Sequence, residues 1–249
     1  MMRVRALATV FFIAAVTVLG SLCGFVARLL DSSGDGVLDL ARLWSRSVTC
    51  FAGVKIVIEN RATLVPEEPY VFMSNHASSL DIWAVFVAIP RRLRLIAKKQ
   101  LARIPLFGWA MWAGRFIFID RGNGVAARRS IEEAGRRIHD GDSVLIFPEG
   151  TRTRDGSLLP FKKGGFHLAI KAGVPIVPVA LCGTRALMPR GSLLLRAGAI
   201  KVIIGQPIST RDLSDEDRVN LPERVRGIVE VMLAEGETAG SASKSPEPA

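Results

Sequence analysis

The stretch Tyr70-Val71-Phe72-Met73-Ser74-Asn75-His76-Ala77-Ser78-Ser79-Leu80-Asp81 decides how this chain folds. A short apolar run followed by small polar residues marks a buried strand ending where a helix begins. His76 and Asp81 stand five positions apart at that turn and can form a pair. A carboxylate so placed holds an imidazole in one tautomer and stabilises its charged form, which frees the other ring nitrogen to take a proton from a hydroxyl. A second stretch has the same form: Val144-Leu145-Ile146 runs into Phe147-Pro148-Glu149-Gly150-Thr151-Arg152-Thr153, adding a carboxylate, a glycine and a cation at another strand end.

Working outward, further short β-branched runs bounded by Gly, Pro or charge lie at 54–59, 94–97, 115–119, 176–181 and 200–204, beside those at 70–73 and 144–147. Helical patterns alternate with them at 80–89, 124–140, 166–172 and 221–234. In 124–140 the apolar stripe is Ala127, Ile131, Ala134 and Ile138, with Glu132/Arg136 and Glu133/Arg137 as outer ion pairs. Such alternation predicts an α/β fold, a layered, mostly parallel sheet flanked by helices. In such sheets sites form at the carboxyl ends of strands, where both motifs stand.

The two blocks in this order, Asn75-His76 with Asp81 and then Phe147-Pro148-Glu149-Gly150-Thr151-Arg152, resemble the glycerolipid acyltransferase superfamily, in particular the bacterial 1-acyl-glycerol-3-phosphate acyltransferases. The likeness continues in Lys98-Lys99-Gln100-Leu101 with Pro105, Gly108, Gly114 and Phe118-Ile119-Asp120-Arg121, in Phe161-Lys162-Lys163-Gly164-Gly165, and in Val177-Pro178-Val179-Ala180. It covers roughly 54–205. Gln100 stands where the family often has glutamate, and Thr153 where it often has serine.

The resemblance implies transfer of a fatty acyl group from acyl-CoA or acyl carrier protein to the sn-2 hydroxyl of lysophosphatidic acid, giving phosphatidic acid. His76 is then the general base and Asp81 its orienter. Glu149, Gly150, Thr151 and Arg152 are expected to meet the acceptor: Glu149 by accepting from its glycerol hydroxyl, Gly150 by close backbone approach. Arg121, Arg152 and Lys99 are candidates for its phosphate, because a guanidinium binds phosphate oxygens as a fork. Val177–Ala180 is expected to line the acyl pocket. The acceptor could equally be glycerol-3-phosphate, another lysophospholipid or a lyso-aminolipid, and a non-catalytic lipid-binding protein would show the same fold.

Composition narrows the partners. Lys and Arg number 33 against 23 Asp and Glu, a net charge of +10 with pI near 10.2, which favours anionic partners. Aromatics at 7% with a single tyrosine offer no stacking platform for nucleic acid, whereas 49% apolar residues and a mean hydropathy of +0.30 favour anionic membrane lipids. No charge occurs from 6 to 27, a span long enough to cross a hydrocarbon core of roughly 30 Å. The next segment carries Val37, Leu40, Ala41, Trp44, Val48 and Phe51 on one face and Asp39, Arg42 and Arg46 on another. The chain is therefore expected to divide into an N-terminal membrane-associated two-helix anchor (1–52), an acyltransferase domain (53–235) and a disordered tail (236–249), at the cytoplasmic face of the cell membrane. A single transmembrane pass is the competing arrangement. A cleaved leader fits less well, since bulky Leu22 precedes Cys23 and export would separate the enzyme from acyl thioesters.

Three scattered cysteines, Cys23, Cys50 and Cys182, show neither disulfide nor zinc spacing and are expected to be buried or membrane-facing. No His/Cys/carboxylate cluster implies a metal, and no cofactor is expected beyond the acyl donor. No G-x-S-x-G elbow makes Ser74, Ser78 or Ser79 a nucleophile; Ser78 and Ser79 are placed to cap the next helix. His139 and His167 have no carboxylate at similar spacing and are assigned no chemistry.

Overall fold

The structure is a computed structural model and describes residues 2–120 and 124–242. Each expected strand forms: β1 (Val54–Asn60), β2 (Val71–Ser74), β3 (Leu93–Lys98), β4 (Ile117–Ile119), β5 (Ser143–Ile146), β6 (Ile176–Cys182) and β7 (Gly198–Ile204). They form one sheet in the order β1-β7-β6-β2-β5-β3-β4. All pairs are parallel except β6 with β7. Strands β6, β2, β5, β3 and β4 therefore run the same way and end at one edge of the sheet.

The helices are α1 (Met2–Leu30), α2 (Asp35–Ala52), α3 (Leu80–Ala88), α4 (Phe107–Ala113), α5 (Gly124–His139), α6 (Gly164–Ala172), α7 (Thr184–Leu187) and α8 (Asp215–Ala242). The period of two along each strand sorts its side chains between two helical layers. Phe72, Leu145, Val177 and Val179 pack with Leu38, Val48 and Ala52 of α2 and Leu80 and Ala84 of α3. Val71, Met73, Val144, Ile146 and Ile176 pack with α5, α6 and the Leu221, Val225 and Val229 stripe of α8. From β2 the chain crosses to β3 on one side, and from β5 it crosses to β6 on the other. Adjacent strands whose connections leave in opposite directions open a crevice at their carboxyl ends. The two motifs follow those two strands.

The structure departs from the sequence expectation in several places. Helix α8 runs to Ala242, so 236–242, expected as tail, is helical. Gly236 makes the added length possible: a Cβ there would lie 2.3 Å from Sγ of Cys182, so only glycine lets α8 lie against β6. Cys182 is buried, and burial pushes its thiol up to about 11, which removes it as a nucleophile. Cys23 and Cys50 are exposed on the two N-terminal helices. Glu133 alone pairs with both Arg136 and Arg137 on α5, where two separate pairs were expected. Helices α4 and α7 were not expected, because a seven-residue segment that is apolar all round and a four-residue turn carry no readable period.

The N-terminal helices form a hairpin that is part of the domain's packing. Helix α1 is long and apolar enough to cross a membrane, with Leu7, Phe11, Leu19, Phe25 and Leu29 exposed along it. Most of the apolar stripe of α2, expected to lie in lipid headgroups, is instead covered from within, with Val37 and Val48 buried and Phe51 left 46% exposed at its end. Phe51 stacks on Phe12 of α1 with ring centroids 4.0 Å apart, and Trp44 Nε1 donates to Thr17 Oγ1 at 3.0 Å. Outward α2 shows Asp39, Leu43, Arg46 and Cys50.

A buried arginine holds the hairpin's turn to the sheet. Arg94 of β3 has no exposed surface. Its Nε donates to Asp142 at 3.0 Å, and its Nη groups donate to the carbonyls of Ser33, Gly34 and Gly114 and to Asp35 at 2.6 Å. Arg92 adds contacts to the same two aspartates. Gly34, at φ 76, sits so close that a Cβ would lie 2.8 Å from the Ala113 carbonyl. Replacing Arg94 with Met leaves Asp142 buried without its strongest partner. Arg94→Met should lower unfolding stability by roughly 3–5 kcal/mol, and Arg94→Met with Asp142→Leu should recover most of that, measured by denaturant unfolding in detergent.

Candidate active site

Four features hold His76 in place, drawn from α3, from its own turn and from the segment after β5. Asp81, fully buried in the first turn of α3, uses one oxygen, Oδ2, for the N–H groups of Ala77 and Ser78 and for Nδ1 of His76, all at 2.8 Å. An ionised carboxylate only accepts, so Nδ1 carries the proton and Nε2 is left as the basic nitrogen. The imidazole lies on the Phe147 ring, centroids 4.0 Å apart and planes 16° from parallel. Asn75 closes the turn from the other side: its side-chain amide donates to the Leu181 carbonyl at 3.1 Å and accepts the Leu181 N–H at 2.8 Å, extending the β2–β6 pairing by a side chain.

The fourth feature joins the two motifs. Glu149 Oε1 accepts the N–H of His76 at 2.6 Å and Oε2 accepts the N–H of Leu159 at 3.0 Å. The Thr153 N–H donates to the His76 carbonyl at 2.9 Å. The peptide of the histidine is thus held on both sides by the segment after β5. Glu149 is 3% exposed, so it braces the histidine where a direct contact to the acceptor was expected. Burial raises its carboxyl above the usual range, opposed by the bonds from Leu159 and His76.

His76 and Phe147 line an apolar cavity of about 350 Å³. Thr17, Gly20 and Ser21 of α1 and Leu40 and Trp44 of α2 form one wall, so the hairpin completes the cavity. Thr151, Arg152 and Lys98 stand on its polar side. Arg152 Nη1 donates to Ser79 Oγ at 2.6 Å, so Ser79 serves the cavity, and the helix-capping role expected of it is absent. Ser78 Oγ does accept the Leu80 N–H at 3.0 Å, and it donates to the Met188 carbonyl.

The other expected residues fall elsewhere. Lys99 does not line the cavity; its Nζ lies 3.6 Å from Asp120. Its neighbour Lys98, the last residue of β3, takes the place assigned to it. Gly150 adopts φ +73, and a Cβ there would meet the Lys162 side chain at 2.8 Å, so the turn itself calls for glycine. Strand β6, with Val177–Ala180, is wholly buried between β2 and β7 and lines no part of the cavity. Arg121 lies outside the described residues. His139 and His167 are exposed and far from these contacts in the fold. Arg190, on the same cavity, was not singled out from sequence, where it is one arginine in a loop without a motif.

Glu149→Gln keeps one acceptor but turns an NH₂ group towards a backbone donor. It should cost about 1–3 kcal/mol of stability. The native carboxyl has a higher pKa folded than unfolded, so its contribution falls as pH rises from near 4.5 through the folded value. The gap in unfolding free energy between wild type and variant should therefore narrow across that window and stay level above it, as measured by urea titrations at stepped pH.

Comparison with known proteins places the chain in a family. The acyltransferase family profile spans residues 55–182, from β1 to the end of β6. Human 1-acyl-sn-glycerol-3-phosphate acyltransferase alpha is 33% identical over 204 residues, 82% of this chain and 72% of its own. The 1-acyl-sn-glycerol-3-phosphate acyltransferase of Cocos nucifera is 41% identical over 151 residues, 60% of this chain and 49% of its own. The crystal structure of the 1-acyl-sn-glycerophosphate acyltransferase PlsC from Thermotoga maritima superposes with a TM-score of 0.80 at 26% identity, covering all of both chains. This chain belongs to the acyltransferase family, among the relatives of the 1-acyl-sn-glycerol-3-phosphate acyltransferases.

Proposed function

We propose that this protein transfers a fatty acyl group from a thioester, acyl-CoA or acyl carrier protein, to the sn-2 hydroxyl of lysophosphatidic acid, producing phosphatidic acid. The observation that carries the reading is that His76, oriented through Nδ1 by Asp81, opens on the same apolar cavity as Arg152. In this scheme Nε2 takes the proton of the acceptor hydroxyl as its oxygen attacks the thioester carbonyl. Asp81 stabilises the imidazolium that forms. The tetrahedral intermediate collapses with release of the thiolate, which recovers the proton from His76. The thiolate is a good leaving group, so no covalent enzyme intermediate is needed.

The oxyanion needs backbone donors. The N–H groups of Ala77, Ser78 and Leu80 are already taken by Asp81 and Ser78. Those of Thr151 and Arg152, on the cavity wall, have no acceptor among the described residues and supply the role in this scheme. The apolar wall from α1 and α2 receives an acyl chain, and Arg152 meets the acceptor phosphate.

Membrane association at the cytoplasmic face follows in the same proposal. The exposed apolar side of α1 enters the bilayer, and Trp109 and Trp112 of α4, which packs on α1, are 60% and 67% exposed and sit at the headgroup level. Lysophosphatidic acid then reaches the cavity without crossing water.

The test is product detection by mass spectrometry, with detergent-purified protein given acyl-CoA or acyl carrier protein and a panel of lysophospholipids plus glycerol-3-phosphate. Phosphatidic acid is expected from wild type, and His76→Ala should lower its rate by roughly 10²–10⁴-fold. Equal activity in the variant would remove His76 from the mechanism. A different acylated product would rename the acceptor, and binding of lipid with no product from either donor would make this a silent lipid binder.

A further inference from the structure

The cavity carries more positive charge than the motif arginine provides. Arg190 lies in the connection between α7 and β7, and its Nη1 donates to the main-chain carbonyl of Arg152 at 2.7 Å. This bond holds a second guanidinium against the main chain of Arg152, and both arginines line the cavity that His76 and Lys98 also line. Some arginines, such as Arg61 with Glu59 and Glu235 and Arg94 with Asp35 and Asp142, have carboxylate partners, and others on the surface do not; what sets Arg152 and Arg190 apart is that both line one apolar cavity. Among the described residues Arg152, Arg190 and Lys98 have no carboxylate within 4.0 Å. Cations gathered without counter-ions around an apolar cavity give it a positive potential that favours an anionic ligand. A guanidinium has five N–H donors, and the carbonyl of Arg152 occupies one group of them, leaving the remainder for a ligand.

We propose that Arg190 is a substrate-binding residue that grips a phosphate together with Arg152. The inference rests on the acyl-transfer reading of this cavity and adds to it a residue outside the sequence motifs. Two phosphates come within the chemistry of that reaction: the phosphomonoester of the acceptor, and the phosphates of a CoA or phosphopantetheine donor. Both suit a paired guanidinium, which binds two oxygens at once. Because Arg190 also holds the Arg152 carbonyl, it sets where the first guanidinium stands as well as adding its own.

The experiment compares wild type, Arg190→Gln and Arg190→Lys as full chains in detergent. KM for lysophosphatidic acid is measured at saturating acyl-CoA, KM for acyl-CoA at saturating lysophosphatidic acid, and unfolding temperature alongside. One KM should rise roughly 10–100-fold in Arg190→Gln with kcat changed less than about threefold, and Arg190→Lys should recover part of it. A rise for the acceptor alone assigns its phosphate to Arg190; a rise for the donor alone assigns the donor's phosphates. Both KM values unchanged would overturn the proposal, whatever happens to the unfolding temperature.

Binding separates this inference from the acyl-transfer reading. Calorimetric titration compares lysophosphatidic acid with monoacylglycerol, and acyl-CoA with acyl-pantetheine, on wild type and Arg190→Gln. Loss in the variant of the preference for a phosphate-bearing form supports the proposal even where no phosphatidic acid is made. The same preference in both proteins overturns it even where the enzyme is active.

Discussion

The carboxylate of Glu149 takes the N–H of His76 with one oxygen and that of Leu159 with the other, and the site depends on this crossing. A buried carboxylate is costly without donors, so once Glu149 is inside the fold its two N–H partners have little freedom to move. The segment after β5 is thereby tied to the turn after β2. Thr153 completes the tie from its own backbone. What holds the general base candidate is then a set of contacts to its peptide and ring face from the segment after β5 and to its Nδ1 from α3. Removing Glu149 or Asp81 leaves buried backbone N–H groups without an acceptor, so the polar members of the arrangement depend on one another.

This local order needs the sheet beneath it. Strands β2 and β5 are adjacent and parallel, with Met73 opposite Ile146, so the residues that follow them emerge side by side. Strands β3 and β6 end at the same edge and bring Lys98 and, beyond α7, Arg190 to the same cavity. Positive charge converges there because parallel strands deliver their trailing loops to one place.

The N-terminal hairpin is joined mechanically to the site. Its far end is held by Arg94 to Asp35 and to the carbonyls of Ser33 and Gly34, on the edge of the sheet away from the site. Its near part forms the apolar wall of the cavity. A helix pair fixed at its turn, with α1 packed on α4 and α2 on α3, cannot shift without changing the cavity.

Local sequence determined a good deal. Short β-branched runs between helical patterns specify strands because a buried parallel strand has no polar face to display, and each expected strand is present. The His76 and Asp81 pair was legible because both lie within one strand-to-helix turn, whose geometry is local. Contacts between distant segments were decided only by the tertiary structure. Whether Lys98 or Lys99 faces the cavity depends on where β3 stops, and a slip of one residue reverses the side. Glu149 was expected to meet substrate, but its partner is a backbone N–H from another motif, which no spacing encodes. The apolar face of α2 has the same composition whether lipid or α1 covers it. Arg190 has no local pattern and becomes part of the cavity through the path of the chain from β6 to β7. Periodicity records which residues avoid water, while the identity of their neighbours follows from how the strands are ordered across the sheet.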